Sequence, residues 1–367
     1  MKIAFLIGSM SRGGAERVIA SLANTYCGQG DEISIITTDG SPSGYPLDKR
    51  VQHIRLNLAG KSNNRIEGAI SNLRVTCALR KVIKKNRYDA VVTFVLRPAV
   101  LLQYAFPFGR KFKLITSDRA NPNVRKLDRF TKWQYDSMLP NVDGFIFQTE
   151  RVSMCYPEKL RKKSTVIHNG VFPEILPEKP PEFDSRRHKD ICAVGRLAQQ
   201  KGYDILLEAF AKFRQSHPDY HLHIYGKGAL QEKLEAQREG LGLSDSVTFH
   251  GSVPDVMFQV ADMGMFVMAS RFEGMPNALM EAMACGLPCV AADCDFGPGE
   301  LIRDHENGIL VPVEDVEKLA SAMAEVADNK ELAKKLSENA QGIRETHNGE
   351  KIAAMYHRYI EKVVNGK

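Results

Sequence analysis

Two glutamates eight positions apart, Glu273 and Glu281, are the acidic side chains best placed to bind a ligand in this sequence. Glu273 follows the apolar run 265–268, and Pro276 with Asn277 can begin a helix. The first N–H groups of a helix have no carbonyl partner within it, so they suit a sugar or phosphate oxygen. We expect the two carboxylates to accept hydrogen bonds from sugar and ribose hydroxyls. The alternative is that both are solvated surface residues.

A second candidate site is the turn 195–202, where Arg196 and Lys201 flank a predicted strand-to-helix connection. Arginine offers a planar fork of donors and lysine a mobile point charge, so the pair could neutralise a departing diphosphate. Two surface cations near a helix start are the alternative.

Glycines mark three further turns. Gly13 and Gly14 lie between the first strand and helix, in a turn that is neither GxGxxG nor GxxxxGK[ST], which disfavours a nicotinamide site or a P-loop. This turn is compatible both with an anion-binding site and with a tight turn that binds no ligand. Gly226 and the loop 250–253 follow later strands, where glycine lets a flat ring or a ribose approach the backbone.

The composition indicates a soluble globular protein of two domains, because 367 residues exceed one ordinary core. The seven cysteines form no CxxC pair, and no export signal or membrane span is predicted. We therefore expect reduced thiols, no metal site and a cytoplasmic location. The excess of Lys and Arg in residues 1–171 adds the expectation of peripheral association at the inner face of the cell membrane.

Charge is divided along the chain. Residues 1–171 contain 28 Lys and Arg against 13 Asp and Glu, whereas the remainder contains 22 against 31. A basic half suits an anionic partner: a membrane surface, a lipid-linked phosphate or a nucleic acid. A merely solvated basic surface is the alternative.

Strand-like apolar runs alternate with segments of helical period, which predicts an α/β fold of two doubly wound parallel sheets. The predicted strands are 3–7, 32–38, 90–95, 113–116, 144–148, 165–168, 191–194, 221–225, 247–250, 265–268 and 288–291. The predicted divisions are an N-terminal domain at 1–171, a proline-rich linker at 172–188, a C-terminal domain at 189–348 and a helix at 349–367 that can cross back to the first domain. Ligands are expected in the cleft between the domains, beyond the carboxyl ends of the strands.

Taken together, these segments resemble the retaining family-four glycosyltransferases of GT-B fold, whose E-x7-E motif matches Glu273 and Glu281. Other family motifs match in the expected order at 13–16, 195–202, 226–228 and 307–312. The segments 117–122 and 293–302 resemble transferases for amylovoran-type exopolysaccharide, O-antigen and capsule. The resemblance covers nearly the whole chain.

The resemblance implies a role for each matched position. Glu273 would hold hydroxyls of the donor sugar, Glu281 the ribose, and Arg196 with Lys201 the diphosphate. The predicted donor-binding residues are Gly13, Gly14, Gly195, Gly226, Val253, Pro276, Asn277, Ala278, Leu279 and Glu281. The predicted catalytic residues are Glu273, Arg196, Lys201, Asp118 and Arg119. No cofactor or metal is implied, because the nucleotide-sugar, most simply a UDP-sugar, is a substrate.

The acceptor is expected in the basic N-terminal domain. Arg125, Lys126, Arg129 and Lys132 are predicted to face a polyprenyl-diphosphate-linked or oligosaccharide acceptor, or the membrane. Many family members carry a histidine where this sequence has Asp118 and Arg119, so the family's histidine role does not transfer directly. Arg119 could support phosphate charge and Asp118 could accept a hydroxyl proton.

Other functions are compatible with parts of this pattern. A same-fold nucleotide-sugar epimerase needs further acid and base residues on the sugar, and a phosphorylase needs a cofactor lysine in a larger chain. A non-catalytic sugar-nucleotide-binding protein would not need Glu273 or Lys201. Nucleic-acid binding is disfavoured because the basic half has no recognised binding module.

Overall fold

The computed structural model describes residues 1–11, 13–58, 65–119 and 121–366 of the chain. The chain divides into two compact units. Unit 1 comprises Met1–Gly170 and the segment that begins at Glu350, and unit 2 comprises Val171–Gly349.

The described part of unit 1 forms a seven-stranded parallel sheet in the order β3-β2-β1-β4-β5-β6-β7. Its strands are β1 (Lys2–Ile7), β2 (Glu32–Thr37), β3 (Gln52–Arg55), β4 (Ala90–Thr93), β5 (Lys113–Ser117), β6 (Gly144–Phe147) and β7 (Ser164–Val166). Its helices up to β7 are α1 (Gly14–Gly28), α2 (Arg65–Asn86), α3 (Leu96–Ala105), α4 (Arg129–Met138), α5 (Glu150–Met154) and α6 (Glu158–Arg161). The order reverses direction at β1, as in doubly wound folds.

The described part of unit 2 repeats this architecture with six parallel strands in the order β10-β9-β8-β11-β12-β13. Its strands are β8 (Arg187–Val194), β9 (His221–Tyr225), β10 (Val247–Gly251), β11 (Met263–Met268), β12 (Cys289–Ala292) and β13 (Ile309–Val311). Its helices are α7 (Tyr203–Phe213), α8 (Gln231–Gly240), α9 (Val256–Val260), α10 (Asn277–Ala284), α11 (Pro298–Leu301), α12 (Val316–Asp328), α13 (Lys330–Ala340) and α14 (Ile343–Thr346).

The prediction of two doubly wound parallel sheets is confirmed, and the eleven predicted strands all occur with ends shifted by a few residues. Two short strands, β3 and β13, were not predicted. Both lie at a sheet edge: β3 consists of exposed and half-buried residues, and β13 is apolar but only three residues long.

The C-terminal helix α15 (Gly349–Asn365) contributes to the core of unit 1. Tyr356 and Ile360, one turn apart, are fully buried on its inner stripe. The Tyr26 hydroxyl donates to the Ala353 carbonyl at 2.9 Å, and Arg119 Nη2 donates to the Tyr356 hydroxyl at 2.7 Å. The last helix of the sequence therefore completes the first unit.

The proline-rich segment 172–188, predicted as a linker, lies within unit 2. It contains short 3₁₀ turns at Pro173–Ile175 and Phe183–Ser185 and runs into β8. Leu176 and Phe183 are buried in the apolar clusters of unit 2. Within the described ranges, no helix is both long and apolar enough to cross a membrane.

Candidate active site

Four loops emerge side by side at the carboxyl edge of the unit 2 sheet. Residues 195–202 follow β8, 226–230 follow β9, 252–255 follow β10 and 269–276 follow β11. These strands are parallel neighbours, so their carboxyl ends lie at the same edge. This edge is where open α/β sheets bind ligands.

Close backbone contacts join the first three loops. The Gly226 N–H donates to the Gly251 carbonyl at 2.8 Å. A Cβ atom at Gly226 would lie 1.8 Å from the Gly195 carbonyl oxygen, and one at Gly228 would lie 2.2 Å from that of Leu197. No side chain fits in such gaps, so glycine is required at both positions. Of the predicted residues, Gly195 and Gly226 are thus in contact.

The Glu273 carboxylate is the centre of a polar network between two of these loops. Glu273 is only 6% exposed. Its Oε1 atom lies 2.6 Å from Lys201 Nζ and accepts from the Ser270 hydroxyl at 2.8 Å. Its Oε2 atom accepts from Gln200 Nε2 at 3.2 Å. Each carboxylate oxygen thus has a donor, which offsets the desolvation cost of the buried charge.

A tight turn before α7 brings Lys201 to this network. Gly202 has a φ of +63°, in the left-handed region, and a Cβ there would lie 2.0 Å from the Ala269 carbonyl oxygen. Only glycine allows both the conformation and the close approach of the loop after β11. The Tyr203 hydroxyl donates to the Gly195 carbonyl at 3.0 Å and closes the turn from its other side.

Arg271, which sequence reasoning missed, holds the same two loops together. Its guanidinium makes a two-pronged ion pair with Asp204, both distances being 2.8 Å. Arg271 Nη1 also donates to the Gln199 carbonyl at 2.9 Å, and the Arg271 N–H donates to the Gln200 carbonyl at 2.8 Å. The hydrogen bond to Asp204 raises the pKa of Arg271 and lowers that of the carboxylate. The sequence feature that could have pointed to Arg271 as a site residue is its position two residues before Glu273.

The helix after Glu273 begins at Asn277, as predicted. The Met280 N–H donates to the Pro276 carbonyl at 3.2 Å, which places the N-terminal turn of this helix directly after the Glu273 loop. Glu281 lies in the second turn and is 5% exposed. The expectation of a helix N-terminus beside the Glu273 loop therefore holds, and Glu281 is buried rather than solvated.

Burial around Glu273 also perturbs neighbouring groups. Burial raises the pKa of the Tyr203 phenol, and the Glu273 charge adds to this shift. The pKa of the Cys294 thiol is raised to about 12 by burial, with a smaller contribution from Glu273. Both groups are therefore neutral at ordinary pH.

Two other predicted donor residues have less enclosed surroundings. The Arg196 side chain is exposed, and its Nη2 atom lies 3.5 Å from Gln200 Oε1. Val253 is half-buried and packs its side chain on an apolar cluster of unit 2, which leaves its backbone as the group able to meet a ligand. In the described part of the chain, no cluster of three or more His, Cys, Asp or Glu could hold a metal ion.

In unit 1, Asp118 and Arg119 follow β5 and make contacts within that unit. The Asp118 carboxylate, 2% exposed, accepts from Arg125 Nη2 at 2.6 and 2.7 Å and from the Tyr156 hydroxyl. Arg125 is thereby directed inward, unlike the exposed Lys126, Arg129 and Lys132.

The Arg119 guanidinium is held between α15 and the end of the sheet. Its Nη1 atom donates to Asn169 Oδ1 at 2.5 Å, and its Nη2 atom donates to the Tyr356 hydroxyl. It also lies 4.5 Å from the centre of the Phe94 ring, a cation–π contact. Burial lowers the pKa of Arg119.

Gly13 and Gly14 lie at the start of α1, at the end of the connection that follows β1. Gly13 precedes the first helical residue, and its carbonyl accepts from the Tyr45 hydroxyl at 3.0 Å and from the Arg17 N–H at 3.1 Å. This is the strand-to-helix turn that the sequence predicted.

Two doubly wound sheets, with a buried carboxylate, a lysine and a helix N-terminus at one carboxyl edge, define a GT-B glycosyltransferase. Residues 12–175 match the model of Glycosyltransferase Family 4, and residues 177–342 match that of Glycosyl transferases group 1. The chain belongs to this family of retaining glycosyltransferases.

Individual relatives match over nearly the whole chain. The lipopolysaccharide core biosynthesis glycosyltransferase LpsE of Rhizobium meliloti is 32% identical over 332 residues, 89% of each protein. An N-acetylgalactosamine-N,N'-diacetylbacillosaminyl-diphospho-undecaprenol 4-alpha-N-acetylgalactosaminyltransferase of Campylobacter jejuni is 26% identical over 371 residues, covering 98% of this chain and 99% of that protein. Anabaena HepE, solved with UDP and glucose, has the same fold, with a TM-score of 0.77, 18% identity and coverage of 99% of this chain and 100% of that one.

Proposed function

We propose that this glycosyltransferase moves a hexose or N-acetylhexosamine from a UDP-sugar to a lipid-linked or oligosaccharide acceptor in surface polysaccharide biosynthesis. The observation that carries the proposal is the buried Glu273 carboxylate, with Lys201 Nζ at 2.6 Å, at the carboxyl edge of the unit 2 sheet. A carboxylate suited to sugar hydroxyls and a cation suited to a diphosphate are thus neighbours.

The relatives support the donor and acceptor classes. HepE was solved with UDP and glucose. The name of the Campylobacter jejuni relative specifies a diphospho-undecaprenol acceptor, and that of LpsE specifies lipopolysaccharide core biosynthesis. These names describe those proteins, and for this chain they favour a UDP-sugar and an acceptor of surface polysaccharide.

Within this proposal each donor-site residue has a defined part. Glu273 holds hydroxyls of the transferred sugar, and Glu281 holds the ribose. Arg196 and Lys201 stabilise the diphosphate as it leaves, and the amides of 277–279 bind the sugar or the β-phosphate. The loops around Gly226 and Val253 enclose the base, and the turn at Gly13 and Gly14 meets the phosphates or the sugar.

Retention follows if the acceptor hydroxyl attacks from the side on which the diphosphate leaves. The bond from the anomeric carbon to the phosphate oxygen breaks, a bond to the acceptor oxygen forms on the same face, and the acceptor proton passes to the departing phosphate. No protein base is needed, and catalysis rests on stabilising the charge that develops on the leaving group.

We assign Asp118 and Arg119 a positioning part, because their polar atoms already contact Arg125, Tyr156, Asn169 and Tyr356. The Asp118 carboxylate already accepts three hydrogen bonds within unit 1, which fixes its orientation. The exposed Lys126, Arg129 and Lys132 are the cations of this group available to an acceptor phosphate or a membrane.

The test is a thermal-shift screen of the purified chain against UDP, GDP, ADP, NAD and common UDP-sugars, followed by a turnover assay with the stabilising sugar. A ligand that binds only the folded state raises its apparent stability. Selective stabilisation by UDP and one UDP-sugar, with a product of unchanged anomeric configuration, is expected. Stabilisation by NAD alone, or epimerisation of the donor without transfer, would overturn the proposal.

A further inference from the structure

Helix α4 of unit 1 is unusual because none of its ten residues is buried in the described structure. Asp128 caps it, with Oδ1 accepting from the Phe130 N–H at 3.0 Å and the Thr131 N–H at 3.1 Å. Capping alone leaves so short a helix marginal in water, and helices of globular proteins normally bury one apolar stripe. Its apolar side chains therefore lack the burial that usually stabilises such a helix.

Large aromatic side chains are exposed on α4 and beside it. Phe130 and Trp133, three positions apart on one face, are 62% and 59% exposed, and their rings stack with centroids 5.9 Å apart. Tyr104, at the end of α3, is 44% exposed and its hydroxyl accepts from Gln134 Nε2 of α4 at 2.9 Å. Phe108, four residues beyond Tyr104, is 99% exposed. Two stacked, exposed rings on an exposed helix, with further exposed rings on the segment before it, are typical of an interaction site.

The helix that carries Phe130 and Trp133 also carries cations. Arg129 and Lys132 are exposed on α4. The segment 97–143 contains nine Lys and Arg against four Asp and Glu, so its net charge is positive. Asp118 is paired inward with Arg125, Asp136 forms an exposed ion pair with Lys132 at 2.6 Å, and Asp143 pairs with Arg110. The aromatic–cationic surface, defined by Tyr104, Phe108, Arg129, Phe130, Lys132 and Trp133, thus combines apolar rings with a net positive charge.

We propose that the aromatic–cationic surface docks unit 1 on the interface of a bilayer that contains anionic lipids. Amphipathic rings favour the boundary between headgroups and acyl chains, and flanking cations are attracted to anionic headgroups. An apolar protein partner would not need the excess of cations, and a nucleic acid would not need Phe108 fully exposed. This inference extends the proposed function, in which a lipid-linked acceptor lies at a membrane, but its test reads lipid contact directly.

Trp133 is the single tryptophan of the sequence, so it reports on this surface in the full chain. With vesicles of phosphatidylcholine and phosphatidylglycerol, we expect its emission to shift to the blue and to be quenched by brominated acyl chains. With phosphatidylcholine alone the shift should be much smaller, and added salt should weaken binding to the anionic vesicles. An unshifted emission in both, or a shift without quenching by brominated chains, would overturn the proposal.

Flotation of variants separates docking from folding. Phe130→Ala with Trp133→Ala should lower the vesicle-bound fraction about tenfold or more, because two half-exposed rings lose their membrane contact. Phe258→Ala is the matched control, since Phe258 is 52% exposed in unit 2, and it should leave flotation unchanged. Calorimetry with UDP should be equal for all variants. If the unaltered chain does not bind UDP, the result counts against the proposed function. If the double variant floats with vesicles as well as the unaltered chain does, the proposed docking surface is wrong.

Discussion

Lys201 Nζ and Glu273 Oε1 lie 2.6 Å apart, although 72 positions separate the two residues in the sequence. Their side chains are only 17% and 7% exposed. A buried ion pair is costly to desolvate, and here Ser270 and Gln200 donate further hydrogen bonds to the carboxylate. The pair is therefore a pre-organised centre of charge at the carboxyl edge of unit 2, and its two members are expected to act on different parts of the donor.

Lys201→Ala should weaken UDP binding by about 10- to 100-fold, the range expected for a charge-assisted hydrogen bond of about 1.5–3 kcal/mol. The removed ammonium would no longer attract the diphosphate, and Glu273 would be left as an uncompensated buried charge. Calorimetry with UDP and with uridine measures the effect, and uridine should lose much less affinity because it has no phosphate. Lys334→Ala, an exposed lysine of α13, is the control. An unchanged UDP dissociation constant would remove Lys201 from the diphosphate site.

Glu273→Ala should lower kcat by about 100-fold or more, because a buried acceptor for the sugar hydroxyls is lost. UDP contains no transferred sugar, so its dissociation constant should change little by comparison. Initial rates at saturating donor test this expectation. Glu338→Ala, on the exposed face of α13, should retain normal turnover. Near-normal rates for the Glu273 variant would show that Glu273 does not hold the hydroxyls of the donor sugar.

Arg271→Lys should lower kcat/KM by about tenfold or more, because lysine cannot reproduce the two-pronged pair with Asp204 and the bond to the Gln199 carbonyl. Asp204→Asn should have an effect of the same kind. The two losses should not add in the double variant, since both act through one ion pair.

Glu314→Gln is the matched control for Arg271. Glu314 also pairs with Arg271, at 2.6 Å, but it is 57% exposed, and exposed pairs contribute little. The kcat/KM of the Glu314→Gln variant should stay close to that of the unaltered enzyme. Fully additive losses for Arg271→Lys and Asp204→Asn would show that the two side chains do not position the loop as a unit.

Two buried thiols should make unit 2 lose stability at alkaline pH. Burial raises the pKa of Cys285 and of Cys294 from 9.0 to about 12. The unfolded chain releases these protons first, so the stabilisation is fully present below about pH 9 and is lost as the pH rises towards 12. Cys285→Ala and Cys294→Ala should each flatten the fall of melting temperature with pH. Cys77→Ala, at an exposed position, should leave that slope as it is; equal slopes for all three would contradict the assignment.

Much of the fold was predictable because local patterns determine it. In α1 the i, i+3, i+4, i+7 spacing of apolar residues predicts an inner face of Ala15, Val18, Ile19, Leu22, Ala23 and Tyr26. All of these residues are buried except Ala15, which is half-buried, so the helical period identified the inner face. The strand β3 was not predicted because its residues are exposed or half-buried and form no apolar run, and β13 was not predicted because its apolar run is only three residues long. The ion pair of Arg271 with Asp204 was not predicted, because a pair between residues 67 positions apart leaves no local sequence pattern.

The sequence by itself determined the two doubly wound sheets, the glycine turns and the place of Glu273 before a helix N-terminus, since periodicity, backbone conformation and capping act over a few residues. Only the tertiary structure decided which charges meet. It paired Lys201 with Glu273, directed Asp118 and Arg125 towards each other, placed α15 in the core of unit 1, and left the rings of α4 exposed. Such pairings depend on how distant segments pack. The local sequence around a charged or aromatic residue is the same whether the folded structure buries that residue against a partner or leaves it exposed.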